Sequence, residues 1–356
     1  MPFFSIGVTT YDRKELLIET LASITRQTFS DFEVIVGNDN PNRHVTAEAL
    51  GIKDPRFRFI NHERNLGGLA NMNALMNASH GRYFTWLDDD NLYAVNFLQI
   101  VHDALLKFNY PTCVFTSFEN FRGFADLTQR RASSSDFELL SGPQFLRQYL
   151  AGELKAIGVM GVFDTDYLKK LNGVEDIDEA GKALDCEYAL MIRAASVEKI
   201  GYVDVPLAFF RLHEGAWHAT DRDLGLYVRA GTNLTRIAIE CFRKPQMKSD
   251  FDQNLTNLLR WVLSDFITTS REAGKTGLRF RTRYFVDARK YISDLKGSDL
   301  YWRSVRCLIT AEAWLVWALC KQRILAAAPR RLVELAYSVR AMLFANSNSE
   351  PACRSN

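Results

Sequence analysis

Four short apolar runs in the first ninety residues constrain this chain more than any other feature. Each is followed by a helical pattern or a polar cluster, and none is long. Residues 4–8 (Phe-Ser-Ile-Gly-Val) read as a strand, and Leu16, Leu17, Thr20, Leu21 and Ile24 follow at helical spacing. Phe32-Glu33-Val34-Ile35-Val36 reads as a second, fully buried strand, closed by Asn38-Asp39-Asn40-Pro41-Asn42. Phe57-Arg58-Phe59-Ile60 reads as a third, before a helix over about residues 69–79. Tyr83-Phe84-Thr85-Trp86-Leu87 reads as a fourth and runs into three aspartates. Strands alternating with helices build βαβ units and a mostly parallel sheet. Such sheets bind ligands beyond the carboxyl ends of their strands. Thr9-Thr10-Tyr11, Asn38-Asp39 and Asp88-Asp89-Asp90 all lie just past strand ends, so three polar clusters converge on one rim.

Asp88-Asp89-Asp90 carries the most chemistry. Three adjacent carboxylates repel one another, which costs stability unless a cation is present. Hard divalent cations such as Mg²⁺ take oxygen ligands, usually one or two carboxylates together with substrate phosphates. An Asp-x-Asp pair on a turn supplies them. The competing reading is an acidic helix start, because aspartate is favoured there by the helix dipole and residues 91–101 have a helical pattern. The position after a buried strand, beside the other clusters, favours the metal.

Composition narrows the class further. With 47% hydrophobic and 24% charged residues the chain is an ordinary globular protein, not a collagen, a disordered tail or a disulfide scaffold. A formal charge of +2 argues against general polyanion binding. Its 356 residues suggest two domains, or one large domain with an appendage. Six scattered cysteines, without zinc spacing, read as the reduced thiols of a cytoplasmic protein. No signal-peptide pattern opens the sequence. No run reaches the roughly 20 apolar residues of a membrane span; residues 307–320 come nearest and carry Glu312. The middle, residues 113–211, is less regular, with a flexible loop expected at Ser133-Ser134-Ser135-Asp136. From Leu224 the pattern is helical, and residues 271–340 hold fifteen Lys/Arg against six Asp/Glu.

Five segments, in order, resemble family 2 glycosyltransferases of the GT-A fold. Ser5-Ile6-Gly7-Val8-Thr9-Thr10-Tyr11-Asp12-Arg13 is similar to the family's first strand and turn. Leu21-Ala22-Ser23-Ile24 with Gln27 is similar to the helix that follows, and residues 32–39 to the second strand with its acidic end. Asn65-Leu66-Gly67 with Asn73 resembles the family's Asn-x-Gly…Asn segment, and Trp86-Leu87-Asp88-Asp89-Asp90 the strand delivering Asp-x-Asp. The resemblance covers about residues 4–215.

It implies an α/β fold: a GT-A-like, Rossmann-type, mostly parallel sheet flanked by helices, with a C-terminal helical extension. The implied division is a catalytic domain over 1–220, a helical module over 221–346 and a flexible tail over 347–356. The donor and metal site would lie in 1–110 and the acceptor region in 111–220. The donor would be a nucleotide-diphosphate sugar, bound by Thr10, Tyr11, Arg13, Asp39, Asn65, Gly67, Asn73, Asp88 and Asp89. Asp88 and Asp90, with His213 from Phe209-Phe210-Arg211-Leu212-His213, would hold Mn²⁺ or Mg²⁺. The family's general base is a carboxylate at a helix start, followed by an apolar run and Arg. Leu184-Asp185-Cys186-Glu187-Tyr188-Ala189-Leu190-Met191-Ile192-Arg193 places Glu187 there, with Asp185 as the other candidate. Each residue also has a plainer reading: a strand-end aromatic for Tyr11, a solvated helix start for Arg13, a turn for Asp39, a cap or first-turn acid for Asp185 and Glu187, an ordinary surface or core histidine for His213.

The sequence departs from the family in two places. Asn38-Asp39-Asn40-Pro41 stands for Asp-Asp-Gly-Ser, and Asn71-Met72-Asn73 for Ala-Arg-Asn, so an arginine expected near the donor is missing. Asn257-Leu258-Leu259-Arg260-Trp261 only echoes the Gln-x-x-Arg-Trp of processive members, which favours addition of a single residue to a glycan or lipid-linked glycan. Trp217 and His218 would belong to a lid. The basic C-terminal helices, with Trp302, Trp314 and Trp317, fit either an anionic membrane surface or a packed bundle with a solvated charged face. A sugar-phosphate nucleotidyltransferase and an inactive scaffold subunit are the alternatives from other classes.

Overall fold

The computed structural model describes residues 1–128, 130–213, 223–272, 292–293, 296 and 298–327. Each of the four apolar runs is a strand: β1 (Phe4–Thr10), β2 (Phe32–Asn38), β3 (Phe57–Asn61) and β4 (Tyr83–Asp88). β1, β2 and β4 read as mostly apolar stretches because a parallel strand covered on both faces has no solvent side to mark; β3, at the sheet edge, is buried only at Phe57. Helix α1 (Lys14–Thr25) connects β1 to β2, and α2 (Gly68–Asn77) connects β3 to β4.

The remaining strands are β5 (Leu92–Tyr93), β6 (Cys113–Phe121), β7 (Phe137–Leu140), β8 (Val162–Asp164) and β9 (Ile200–Arg211). Among the described residues the sheet runs β3-β2-β1-β4-β8-β6-β9-β5, with β7 also on β9. The long ladders β1·β2, β1·β4, β2·β3 and β6·β9 are parallel; short β5, β7 and β8 pair antiparallel. The fold is thus α/β with a mostly parallel sheet flanked by helices. Register aligns the carboxyl ends: Thr10 lies opposite Asn38, Thr9 opposite Asp88, and Asn38 opposite Asn61.

Two local expectations change. Residues 91–101 are not one helix: β5 intervenes, and α3 spans Phe97–Lys107 with Asn96 at its N-cap. The aspartate triplet is therefore not the cap of that helix. Leu92 instead pairs with Phe209, which brings the end of β9 to Asp90. The Ser133–Asp136 stretch, expected as a flexible loop, is a short turn closed by mutual Ser133 and Asp136 hydrogen bonds.

Helices α4 (Gly142–Ala151), α5 (Thr165–Lys170) and α6 (Cys186–Ala194) cover the middle, and α7 (Leu224–Phe242), α8 (Phe251–Glu272) and α9 (Asp299–Ala327) follow. One apolar core joins Leu146, Leu184, Ala189 and Ile192 to Leu234, Phe242, Phe251, Leu259 and Leu308. Burying each Leu, Ile or Phe there contributes about 1.5–3 kcal/mol. The described C-terminal helices are thus a bundle packed on α4 and α6; Trp314 packs into it, and Trp302 is exposed. No helix among the described residues is long and apolar enough to cross a membrane. Trp217, His218, residues 273–291 of the basic stretch, the side chain of Trp317 and the tail 347–356 lie outside the described residues. Cys113, Cys186, Cys241 and Cys307 are buried free thiols.

Candidate active site

The rim predicted from the sequence is present at the ends of β1, β2 and β4. Beyond β4 the three aspartates differ. Asp88 accepts from Thr9 Oγ1 at 3.2 Å. Asp89 is fully buried and accepts from Thr10 Oγ1 at 2.6 Å. Arg13 reaches both Asp89 and Asp90, with Nη2 2.5 Å from Asp89 Oδ1 and Nη1 2.7 Å from Asp90 Oδ2. His213 Nε2 lies 3.1 Å from the same Asp90 oxygen. Of the three polar clusters and the β9 end, the triplet thus collects Thr9, Thr10, Arg13 and His213.

The electrostatics follow from this crowding. Burial first, then the charge of Asp90, pushes Asp88 up to about 6, against the pull of Arg13 and Thr9. Burial pushes Asp89 up to about 7, against Arg13 and Thr10. Burial lowers Arg13, but Asp89, Asp90 and Asp88 together hold it above its ordinary value.

Two carboxylates on one turn, with an imidazole beside one of them, suit a hard divalent cation that completes its shell from substrate phosphates. Among the described residues no group of three His, Cys, Asp or Glu is placed to hold a metal ion by itself. Asp90 Oδ2 already serves Arg13 and His213, so any cation on it shares that oxygen or displaces one of them.

Asp39 is buried, and both its oxygens accept backbone N–H groups across the rim: Leu66 at 2.6 Å and Gly67 at 2.9 Å. Asn65 Oδ1 accepts the Gly67 N–H too, at 2.8 Å. Gly67, at φ 85°, takes a conformation that suits glycine. Asp39, Asn65 and Gly67 therefore form one knot that opens α2. Tyr11 is half exposed at the rim. Asn73 goes elsewhere: its amide exchanges two hydrogen bonds of 2.9 Å with the backbone of Val174. It ties α2 to the loop before α6.

Asp185 is the N-cap residue of α6 by position, yet makes no capping hydrogen bond with its side chain; its φ is 56°. Glu187 lies in the first turn, and both residues are half-buried. This turn is joined to β4 in two steps. Trp86 N–H donates to Val159 O at 3.1 Å, and Gly158 packs so close to Glu187 that an added Cβ would collide with its carbonyl oxygen. Burial raises the Cys186 thiol, and the charges of Glu187, Asp88, Asp185 and Asp178 raise it further. Asp88 and the carboxylates at the start of α6 thus lie within electrostatic reach of one buried sulfur. Trp261, from the echo of the processive motif, packs edge-on against Tyr188, with ring centroids 3.7 Å apart.

Sequence reasoning gave no role to Arg211 or Asp178. Arg211 donates Nε to Asp90 O at 2.9 Å and its own N–H to Asn91 Oδ1 at 3.0 Å, and pairs with Glu19. It locks the triplet's backbone to β9. An arginine ending an apolar strand was the available signal. Asp178 is fully buried and accepts three backbone N–H groups before α6; nothing in the sequence marks it.

Comparisons with known proteins add to the geometry. The model of a family described as Glycosyl transferase family 2 matches residues 5–171. The chain is 39% identical over 95 residues to an uncharacterised glycosyltransferase of Methanocaldococcus jannaschii, covering 26% of this chain and 33% of that protein. It is 33% identical over 94 residues to the GalNAc(5)-diNAcBac-PP-undecaprenol beta-1,3-glucosyltransferase of Campylobacter jejuni, covering 26% and 30%. The matched stretch thus spans about a third of each relative. Residues 1–349 of S. aureus TarS, solved in complex with UDP-GlcNAc, align with a TM-score of 0.50 at 13% identity, over 83% of this chain and 92% of that one. At that identity the likeness is one of fold.

Proposed function

We propose that residues 5–171, which match the model of Glycosyl transferase family 2, are a catalytic domain of the GT-A type and that the protein is an inverting, non-processive glycosyltransferase. It moves one sugar from a nucleotide-diphosphate sugar to a hydroxyl of a glycan or lipid-linked glycan, in cell-surface polysaccharide biosynthesis. The observation that carries this is the meeting, at the carboxyl ends of β1 and β4, of Arg13, His213 and the aspartate triplet, with a second pair of carboxylates, Asp185 and Glu187, at the N-cap and first turn of α6. The activity for which the Campylobacter relative is named supports a lipid-linked acceptor.

In this reading Tyr11 lies beside the nucleotide base, and Asp39 shapes the loop of Asn65 and Gly67 against it. Arg13 divides its charge between Asp89, Asp90 and the donor diphosphate. Asp88 and Asp90, with His213, would hold Mn²⁺ or Mg²⁺; when bound, the ion neutralises charge on the leaving nucleoside diphosphate. Glu187, or Asp185 in its place, takes the proton of the acceptor hydroxyl as its oxygen attacks the anomeric carbon from the face opposite the leaving group. The bond from that carbon to the diphosphate oxygen breaks, which inverts the centre.

The test is incubation with UDP-glucose, UDP-GlcNAc, UDP-galactose and GDP-mannose, each with and without Mn²⁺, scoring nucleoside diphosphate release. Release that needs Mn²⁺ supports the reading. Pyrophosphate exchange instead points to a nucleotidyltransferase, and donor binding without turnover to a scaffold. Peripheral membrane contact belongs to the same proposal. It predicts sedimentation with anionic liposomes at low salt and little at high salt, since each basic residue at such a surface is worth about 1 kcal/mol and is screened by ions.

A further inference from the structure

The loop before α6 is irregular and yet held from every side. Asn73 on α2 grips Val174, and Arg193 on α6 pairs with Glu175 at 2.7 Å. Asp178 is the hub. Its Oδ1 accepts from the N–H groups of Ala180 at 2.8 Å and Lys182 at 3.3 Å, and its Oδ2 from Leu184 at 2.8 Å. Asp176 accepts the Gly181 N–H, 3.2 Å from each carboxylate oxygen. Backbone amides converging in this way make an anion-binding concavity, and here the chain's own carboxylates fill it. The same turn takes left-handed conformations at Glu179 (φ 57°), Gly181 (φ 67°), Ala183 (φ 62°) and Asp185 (φ 56°). Residues other than glycine adopt these only where their surroundings impose them. The last of the four is Asp185, and Glu187 stands two residues beyond.

Helix α7 closes the turn from outside. Arg229 Nε donates to Asp178 O at 3.0 Å, and Asn233 Nδ2 donates to Ile177 O at 2.9 Å and Glu179 Oε1 at 3.0 Å. A buried carboxylate is costly unless its hydrogen bonds are made, and charge-assisted bonds of this kind are the stronger ones. The carboxylate that is most deeply buried near α6 is therefore spent wholly on the shape of the turn.

We propose that Asp178 is a positioning residue for acceptor activation: its buried carboxylate fixes the left-handed turn that sets where Asp185 and Glu187 stand, and Arg229 and Asn233 clamp that turn from the helical extension. This rests on reading Glu187 or Asp185 as the base. It gives the C-terminal helices a part in the chemistry as well as in packing. A merely structural Asp178 would lower stability and donor handling alike, and its loss would add to the loss at Glu187. A positioning residue acts through the base, so its loss adds nothing once the base is gone.

The experiment uses the full chain with Mn²⁺ and whichever of the four nucleotide sugars above releases its diphosphate fastest. Asp178→Ala should lower turnover by roughly 10–100-fold, as a misplaced catalytic group does, with donor KM changed by no more than about twofold. Asp178→Asn, which keeps one acceptor oxygen, should recover part of the loss. The double variant Asp178→Ala/Glu187→Gln should be no slower than Glu187→Gln. Amide exchange at Ala180, Lys182 and Leu184 should rise by about tenfold or more, whatever the donor. Asn233→Ala is the milder perturbation. It should move exchange and turnover in the same directions, and it decides the matter if Asp178→Ala does not fold. Unchanged exchange and turnover in a folded variant, or losses that add in the double variant, would overturn the proposal. Normal turnover in both Glu187→Gln and Asp185→Asn would instead overturn the base assignment on which it rests.

Discussion

Asp89 should make this protein less stable as the pH rises. It is fully buried, with Thr10 Oγ1 at 2.6 Å on one oxygen and Arg13 at 2.5 Å on the other. Burial lifts it from its ordinary 3.8 to about 7, against the pull of Arg13 and Thr10. A carboxyl with a raised folded value binds its proton more tightly in the folded state. Its stabilisation is therefore complete below about pH 4 and is lost as the pH rises through about 7. At 1.36 kcal/mol per pH unit, that rise is a loss of about 4 kcal/mol. Asp88, raised to about 6, acts in the same direction. Asp89→Asn resembles a permanently protonated carboxyl. In chelator-treated buffer the variant should exceed the parent in stability by up to about 4 kcal/mol at pH 8, and match it near pH 4. Urea unfolding of both proteins in steps from pH 4 to 8 measures this. A variant less stable than the parent at pH 8, or a difference that does not change with pH, would refute the reasoning.

Three further outcomes follow from the same geometry. Asp90→Asn removes the oxygen shared by Arg13 and His213, so Mn²⁺-dependent diphosphate release should nearly vanish while the circular dichroism spectrum stays native. Glu187→Gln should lower turnover by roughly 10²–10⁴-fold with donor affinity barely changed; a large loss in Asp185→Asn with Glu187→Gln near normal would transfer the role. Gly158→Ala forces a Cβ onto the carbonyl of Glu187, and should cost about 1–3 kcal/mol in thermal unfolding and slow turnover with it.

The sequence was legible where physics is local. Strands β1, β2 and β4 are buried on both faces, so each shows as a mostly apolar run, while the edge strand β3 is buried only at Phe57; register then follows from parallel pairing of neighbours. Thr10 and Asp88 could be placed on one rim for that reason alone. Strand β5 was not legible. Two residues, Leu92 and Tyr93, are strand only because Phe209 and Ala208 pair with them from more than a hundred residues away. Their apolar pattern fits a helix equally well, and tertiary pairing decided the outcome.

The site divides along the same line. Aspartates at a strand end announce themselves, but what each one does depends on partners the sequence does not order. Arg13 looked like a ligand for phosphate, and the fold sets it against Asp89 and Asp90. Asn73 looked like part of the donor segment, and its amide instead holds Val174, a hundred residues on. Asp178 is one acid among several in Val174-Glu175-Asp176-Ile177-Asp178-Glu179, with no spacing to distinguish it. Only its burial, and the three amides that turn toward it, separate it from its exposed neighbour Asp176. A residue whose work is to hold backbone leaves no pattern in sequence, since any chain path that turns its amides inward would use it equally well. The residues that touch substrate in this reading are therefore the ones a motif can find. Those that set where Glu187 stands, Asp178, Arg229 and Asn233, come from segments that meet only once the helical extension has packed on α6.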